Sequence, residues 1–218
     1  MNMTDYISND FKPLTTPNTV NEALKLFETH LITHIPVLEN NHFIGCISQT
    51  DVLSIDNRAI SLKELQSIFE YFKTEFNESI LDTLKVFAEY NSNITPILIN
   101  NNYFGYLELS DVLDELNQTP FLNSEGFILV VEKNIDDYTM SEIAQIIESN
   151  NGIILGVYES KRDTEKVQAT LKISSQEIND IIQTFRRYNY TVISELKDDM
   201  YLEELKDRSD YLQKFLNT

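Results

Sequence analysis

The chain contains a single cysteine, no tryptophan and only five glycines among its 218 residues. One cysteine excludes an intrachain disulfide and is typical of proteins from a reducing compartment. With so few glycines, the chain has no glycine-rich loop to hold a phosphate and no Gly-x-Ser-x-Gly elbow to present a serine nucleophile. We therefore expect a protein that is not an enzyme.

Basic residues are also scarce, with 17 Lys and Arg against 35 Asp and Glu, so the formal net charge is -18. Such a surface repels nucleic acids and anionic lipids. No apolar run reaches the roughly 18 residues of a membrane helix, and the start, MNMTDYISNDF, lacks the pattern of a signal peptide. The sequence predicts a soluble, cytoplasmic protein that binds neither nucleic acid nor membrane.

The few candidate metal ligands do not form a convincing set. His30 and His34 are four residues apart, but Pro36 places His34 at the exit of the predicted helix, and no His-Glu-x-x-His pattern is present. His42 and Cys46 do not complete a ligand set, and a cysteine in the middle of a strand is usually a buried, inert thiol. We expect no metal site and no cysteine nucleophile.

An internal repeat with an offset of sixty residues organises the first half of the chain. The stretch VNEALKLF (residues 20–27) aligns with ILDTLKVF (residues 80–87), and the same offset superposes three further pairs: Pro36 on Pro96, Gly45 on Gly105, and Asp51 on Asp111. Each copy predicts a helix, a strand around a proline, an Asn-rich turn, a second strand and a second helix. In the first copy, Leu31 is predicted to continue the apolar helix face.

The repeated motif is GCISQTD (residues 45–51) in the first copy and GYLELSD (residues 105–111) in the second. Each follows a proline-centred strand, HIPV or ITPI. This arrangement resembles a pair of CBS domains, also called a Bateman module. The resemblance implies two clefts around a pseudo-twofold axis, a homodimer, and an adenosine-containing ligand such as AMP, ADP, ATP or S-adenosylmethionine, with no resident cofactor required.

The resemblance also assigns roles to individual residues. The motif aspartates, Asp51 and Asp111, are expected to bind ribose hydroxyls, and the residues three positions earlier, Ser48 and Glu108, are expected to approach the phosphate. The base-binding part is expected to involve four further residues: Thr33, Asn93, Cys46 and Tyr106.

Glu108 departs from the hydroxyl residue of the family. A carboxylate 4 Å from a phosphate costs roughly 4 kcal/mol at an effective dielectric constant near 20. We therefore expect the Glu108 cleft to be empty or to accept an uncharged or cationic adenosyl group. The cleft of Ser48 and Asp51 suits a nucleotide better, and a monophosphate better than a triphosphate, because the first copy has few cations.

The C-terminal half predicts strands and helices in the order βαββαβ, the ferredoxin-like plan. After a CBS pair, this order resembles an ACT domain, and the whole chain resembles the acetoin-utilisation type of CBS regulatory protein. The loop NIDDYT lacks the glycine common at the amino-acid site of ACT domains, so the resemblance concerns the fold. The predicted parts are CBS repeats at 1–59 and 60–122, a linker at 123–126, an ACT-like domain at 127–197 and a C-terminal helix at 198–218.

These observations predict an α+β protein: a CBS pair, an ACT-like domain and a C-terminal helix. The favoured hypothesis is a non-enzymatic regulatory module that senses an adenosine-containing ligand and acts through a homodimer. The alternative is a ligand-free dimerisation or adaptor protein with degenerate clefts.

Overall fold

The structure is a computed structural model that describes residues 3–194. The chain divides into two compact units, Met1–Leu116 and Asn117–Thr218. The predicted C-terminal helix at 198–218 lies outside the described residues, and the predicted domain boundaries stay predictions.

The first unit is built from two copies of one order of elements, strand, helix, strand, strand, helix. The first copy comprises β1 (Leu14–Thr15), α1 (Val20–Thr29), β2 (His34–Glu39), β3 (His42–Ser48) and α2 (Gln49–Ser54). The second comprises β4 (Thr74–Glu75), α3 (Thr83–Tyr90), β5 (Ile94–Ile99), β6 (Asn102–Glu108) and α4 (Leu109–Asn117). Every strand of the second copy begins sixty residues after its counterpart, which confirms the repeat.

All six strands form one sheet in the order β1-β2-β3-β6-β5-β4. Within each copy the short first strand runs parallel to the second, and the second and third form an antiparallel hairpin. Among the described residues, β3 and β6 pair through one register pair, His42 with Asn102. The sheet ladder therefore contributes little to joining the two copies.

Local sequence signals account for these elements. Thr19 and Glu22 form a capping box at the start of α1, which buries Val20, Ala23, Leu24 and Phe27. The predicted continuation of this face to Leu31 is wrong, because the helix ends at Thr29 and Leu31 is 98% exposed.

The Asn-rich turns have the predicted left-handed geometry. Asn40 and Asn41 have φ angles of 47° and 70°, and Asn100 and Asn101 have 51° and 65°. Two consecutive left-handed residues match the right-handed twist of the strands they join, so each turn closes a tight hairpin.

The second unit contains a short helix α5 (Pro120–Asn123) and then β7 (Phe127–Asn134), α6 (Met140–Ser149), β8 (Ile153–Arg162), β9 (Lys166–Ser174), α7 (Ile178–Arg187) and β10 (Thr191–Val192). The strands lie in the order β10-β7-β9-β8, and each neighbouring pair is antiparallel. This is the ferredoxin-like βαββαβ plan, so the α+β fold class is confirmed.

The core of this unit lies between the sheet and its two long helices. Fully buried side chains from both layers meet there, among them Leu129, Val131, Ile143, Ile147, Leu171 and Phe185. Within residues 3–194, no helix is long and apolar enough to cross a membrane.

Candidate functional site

The motif of the first copy ends in an oriented carboxylate. Ser48 is the last residue of β3 and caps α2: its Oγ accepts a hydrogen bond from the backbone N–H of Asp51 at 3.0 Å and donates to Asp51 Oδ2 at 2.7 Å. Ser48 is buried and Asp51 is half-buried. This bonding holds the Asp51 carboxylate in one orientation at the end of a buried strand.

The second copy differs at the corresponding place. The Glu108 carboxylate accepts a hydrogen bond from Ser110 Oγ at 3.3 Å, and the backbone N–H of Glu108 bonds the Asp111 carboxylate. Partial burial, reinforced by the charge of Asp114, raises the pKa of Asp111. The carboxylates of Glu108, Asp111 and Asp114 therefore make this end of the motif acidic, with a third carboxylate in place of the Ser48 hydroxyl.

Thr33 and Asn93, which the repeat places sixty residues apart, contact each other directly. Asn93 Oδ1 accepts from the backbone N–H of Thr33 at 2.8 Å, the backbone N–H of Asn93 donates to Thr33 Oγ1 at 3.0 Å, and Asn93 Nδ2 donates to the carbonyl of Leu31 at 2.6 Å. These bonds link the first copy to the second. The two residues thus form a junction between the copies.

Cys46 and Tyr106 are 0% and 1% exposed, so neither side chain reaches an open cleft. Each strand carrying them is bridged by a segment from elsewhere in the chain, downstream for Cys46 and upstream for Tyr106. Glu70 exchanges both backbone hydrogen bonds with Cys46, at 2.8 and 2.9 Å, and Ser8 exchanges both with Tyr106, at 2.8 and 3.0 Å. We call residues 7–11 and 69–72 the first and second crossing segments.

The motif glycines allow this close approach. A Cβ atom at Gly105 would lie 2.5 Å from Ile7 Cγ2 and 2.9 Å from the carbonyl oxygen of Ser8. Gly45 has a φ of +145° and a Cβ there would lie 3.1 Å from the carbonyl oxygen of Glu70. Glycine is thus required so that each crossing segment can lie against its strand.

Aromatic rings of the crossing segments fill the space beside the strands. Phe11 stacks on Tyr106 with ring centroids 4.5 Å apart, and Phe72 meets His34 edge-on at 5.3 Å. Complete burial, together with the charge of Glu70, raises the pKa of the Cys46 thiol well above its usual value. Cys46 is therefore a buried thiol of the core, whose protonated form is favoured.

Glu70 was not predicted to belong to the site, yet it lies beside His34 at the Ser48–Asp51 end of it. His34 pairs with Ser48 across the β2–β3 hairpin. Its Nδ1 lies 2.9 Å from Thr33 Oγ1, and its Nε2, which has no hydrogen-bond partner, lies 3.6 Å from Glu70 Oε2. The one signal for Glu70 in the sequence was the sixty-residue offset. When this offset is applied to residues before the first helix, it pairs Asp10 with Glu70.

The electrostatics of this cluster follow from its burial. Burial lowers the pKa of His34 to about 4, although the charge of Asp51 acts against that shift. Partial burial, reinforced by the charge of Asp51, raises the pKa of Glu70. The cluster therefore combines the neutral imidazole of His34 with the carboxylates of Asp51 and Glu70. All three groups can form hydrogen bonds with a ligand.

Residues 3–57 match the model of the CBS domain family. A CBS domain pair/ACT domain protein from Thermotoga maritima has 22% sequence identity, with 53% of this chain and 96% of that chain covered and a TM-score of 0.48.

Two further solved structures are similar over about the same share of the chain. The CBS domains of a transcriptional regulator from Streptococcus pneumoniae have 13% identity, with 52% and 98% covered and a TM-score of 0.46. CBSX2 in complex with AMP has 19% identity, with 54% and 96% covered and a TM-score of 0.43. The narrower likeness to acetoin-utilisation proteins stays a prediction. The first copy of the repeat thus matches the CBS domain family, and the second copy follows the same order of elements.

Proposed function

We propose that the chain is a non-enzymatic regulatory module that binds an adenosine-containing ligand at the Ser48–Asp51 end of its first copy. The observation that carries the proposal is the orientation of the Asp51 carboxylate by Ser48. Vicinal ribose hydroxyls are donors, and a fixed carboxylate accepts from both through charge-assisted hydrogen bonds.

Charge limits which adenosine compounds fit. The first copy contains three cationic side chains, Lys12, Lys25 and Arg58, against the carboxylates of Asp51 and Glu70 at the site. Each added phosphate therefore meets more repulsion than attraction. We propose AMP or S-adenosylmethionine ahead of ADP and ATP, and for the Glu108–Asp111 end either no ligand or an uncharged or cationic adenosyl group.

Regulation would follow from the assembly. If the ligand binds one arrangement of a cytoplasmic homodimer more tightly than another, it shifts the equilibrium between them by that difference in affinity. Sedimentation equilibrium tests the assembly: we expect a dimer at micromolar concentration, and a monomer throughout the accessible range would contradict this part of the proposal.

Replacing Asp51 by alanine should weaken the binding of AMP or S-adenosylmethionine at least about ten-fold, because it removes the acceptor of the ribose hydroxyls. Isothermal titration calorimetry with AMP, ADP, ATP, S-adenosylmethionine and NADH measures this loss. Asp56→Ala, an exposed aspartate of the same copy, is the matched control and should bind as the wild type does.

The adaptor alternative is favoured by one observation, the burial of Cys46 and Tyr106, which fills space that a base would otherwise occupy. The same titration separates the two functions. No heat with any of the five compounds at millimolar concentration would overturn ligand sensing and leave the adaptor.

A further inference from the structure

A groove in the first unit lies between helix α1 and the segment that leads into β1. Its volume is about 430 Å³, within the range of roughly 300–1,000 Å³ that is typical of small-molecule sites. Its apolar lining comes from Pro13, Leu14 and Leu26, and its polar lining from five further residues: Lys12, Asn18, Glu22, Lys25 and Thr29. Neither Ser48 nor Asp51 lines it, so the groove is separate from the candidate site described above.

Both walls of the groove are fixed by the core and by hydrogen bonds. Phe11, at the start of the segment, is buried in the core of the first copy. Asn18 joins the two walls, because its Oδ1 accepts from the backbone N–H of Thr15 at 2.8 Å and its Nδ2 donates to Glu22 Oε1 at 2.8 Å. A ligand therefore meets a groove that is already formed, and binding does not first require the ordering of a loop.

Three of the polar side chains in the groove, those of Asn18, Glu22 and Thr29, are already bonded within the first copy. Glu22 Oε2 accepts from the backbone N–H of Thr19 at 2.7 Å and from its hydroxyl at 3.0 Å. The bond from the Thr19 backbone, with further bonds from the side chains of Asn18 and Thr19, lowers the pKa of Glu22. The Thr29 hydroxyl donates to the carbonyl of Lys25 at 2.9 Å. These three side chains are thus engaged in holding α1 and its first turn.

The two lysines are the polar groups of the groove that remain for a ligand. Lys12 and Lys25 are exposed, and neither forms an ion pair with any other residue between 3 and 194. They are two of the three Lys and Arg residues of the first copy, so its positive charge is concentrated at one apolar groove. Two ammonium groups outweigh the single carboxylate of Glu22, which its own donors already stabilise. Cations beside aliphatic surface suit a ligand with one anionic group and an apolar chain.

We propose that this groove binds an amphipathic monocarboxylate, such as a medium-chain alkanoate. The chain of the ligand packs along Pro13, Leu14 and Leu26, and its carboxylate pairs with Lys12 and Lys25. A single negative charge suits two lysines on a chain of net charge -18, which repels polyanions. The inference goes beyond the proposed function, since it adds a second ligand site whose ligand contains no adenosine.

Calorimetric titrations of the full chain with octanoate, hexanoate and octylammonium test both features of the groove. We expect octanoate to bind with saturation and about ten-fold more tightly than hexanoate, because two further methylene groups leave water. Octylammonium has the same chain and the opposite charge, so it should bind at least about ten-fold more weakly than octanoate, since it is repelled by the lysines.

Variants locate the site. The double variant Lys12→Gln/Lys25→Gln should weaken octanoate binding about ten-fold, because each exposed ion pair contributes a modest factor. It should also remove most of the preference for octanoate over octylammonium. Lys63→Gln, an exposed lysine of the same unit, is the matched control and should keep the wild-type affinity. All three substitutions are at exposed positions, and circular dichroism verifies that the variants fold.

Three results would overturn the carboxylate site: no saturable binding of octanoate at millimolar concentration, equal affinity of the wild type for octanoate and octylammonium, or unchanged octanoate affinity in the double variant. If the double variant sediments as a monomer where the wild type is a dimer, the groove is a contact between copies of the chain, and this too overturns the site. AMP titrated in parallel keeps the two proposals apart, because AMP binding without octanoate binding leaves the proposed function standing.

Discussion

Asn93→Ala should lower the free energy of unfolding of the first unit by about 3 kcal/mol, at about 1 kcal/mol for each of three lost hydrogen bonds. The Asn93 side chain accepts from the backbone and hydroxyl of Thr33 and donates to the carbonyl of Leu31. The loss is large because β3 and β6 share a single register pair among the described residues, so the ladder offers little compensation.

Native-state hydrogen exchange of the amides in β2 and β5 is the appropriate measurement, because it reports the opening of this unit within the full chain. Asn21→Ala, on the exposed surface of α1, serves as the control and should change protection little. Unchanged protection in Asn93→Ala would show that the junction contributes nothing to stability.

Lowering the pH from 7 to 5 should reduce the free energy of unfolding of the wild-type first unit by about 2 kcal/mol more than it does in His34→Gln. The reason is that the pKa of His34 is near 6.5 in the unfolded chain and about 4 in the folded chain. Between these two pKa values His34 is protonated in the unfolded chain, whereas the buried imidazole of the folded chain stays neutral. The stability of the folded state therefore rises with pH between these two pKa values, and above pH 6.5 the destabilising effect of His34 is absent.

Two carboxylates face His34 and have to be considered with it. The pKa of Glu70 is raised in the folded state, so this group acts in the opposite sense as the pH falls, and the charge of Asp51 already moderates the shift of His34. Both groups are present in wild type and variant, so the difference between the two pH curves isolates the imidazole. Parallel curves would contradict the burial of a neutral His34.

Much of the fold could be predicted because the signals that specify it are local. The helix positions follow from apolar spacing, the tight hairpins from paired asparagines such as Asn40 and Asn41, and the duplication from one offset without a gap. The ferredoxin-like order of the second unit follows from the alternation of its strands and helices. Leu31 was misjudged because apolar spacing continues past the end of α1, where no helix turn remains to bury it.

The composition of the site was harder to predict, because it depends on contacts between residues far apart in sequence. The crossing segments have no periodic pattern, and Ser8 reaches Tyr106 across 98 residues. The motif glycines allow another backbone to lie close to each strand, but their sequence does not show that a segment of the same chain does so. Cys46 and Tyr106 were therefore expected to line a cleft, whereas Glu70 was overlooked.

The contrast between the tight hairpins and the Thr33–Asn93 junction has a consequence for how the first unit folds. The two hairpins close through two-residue turns, a local event on the microsecond scale. The junction instead joins residues sixty positions apart, so the chain between them must lose conformational entropy before the hydrogen bonds of the junction form. We therefore expect each copy to begin folding on its own, and the union of the two copies to be the late step of folding, after both hairpins have formed.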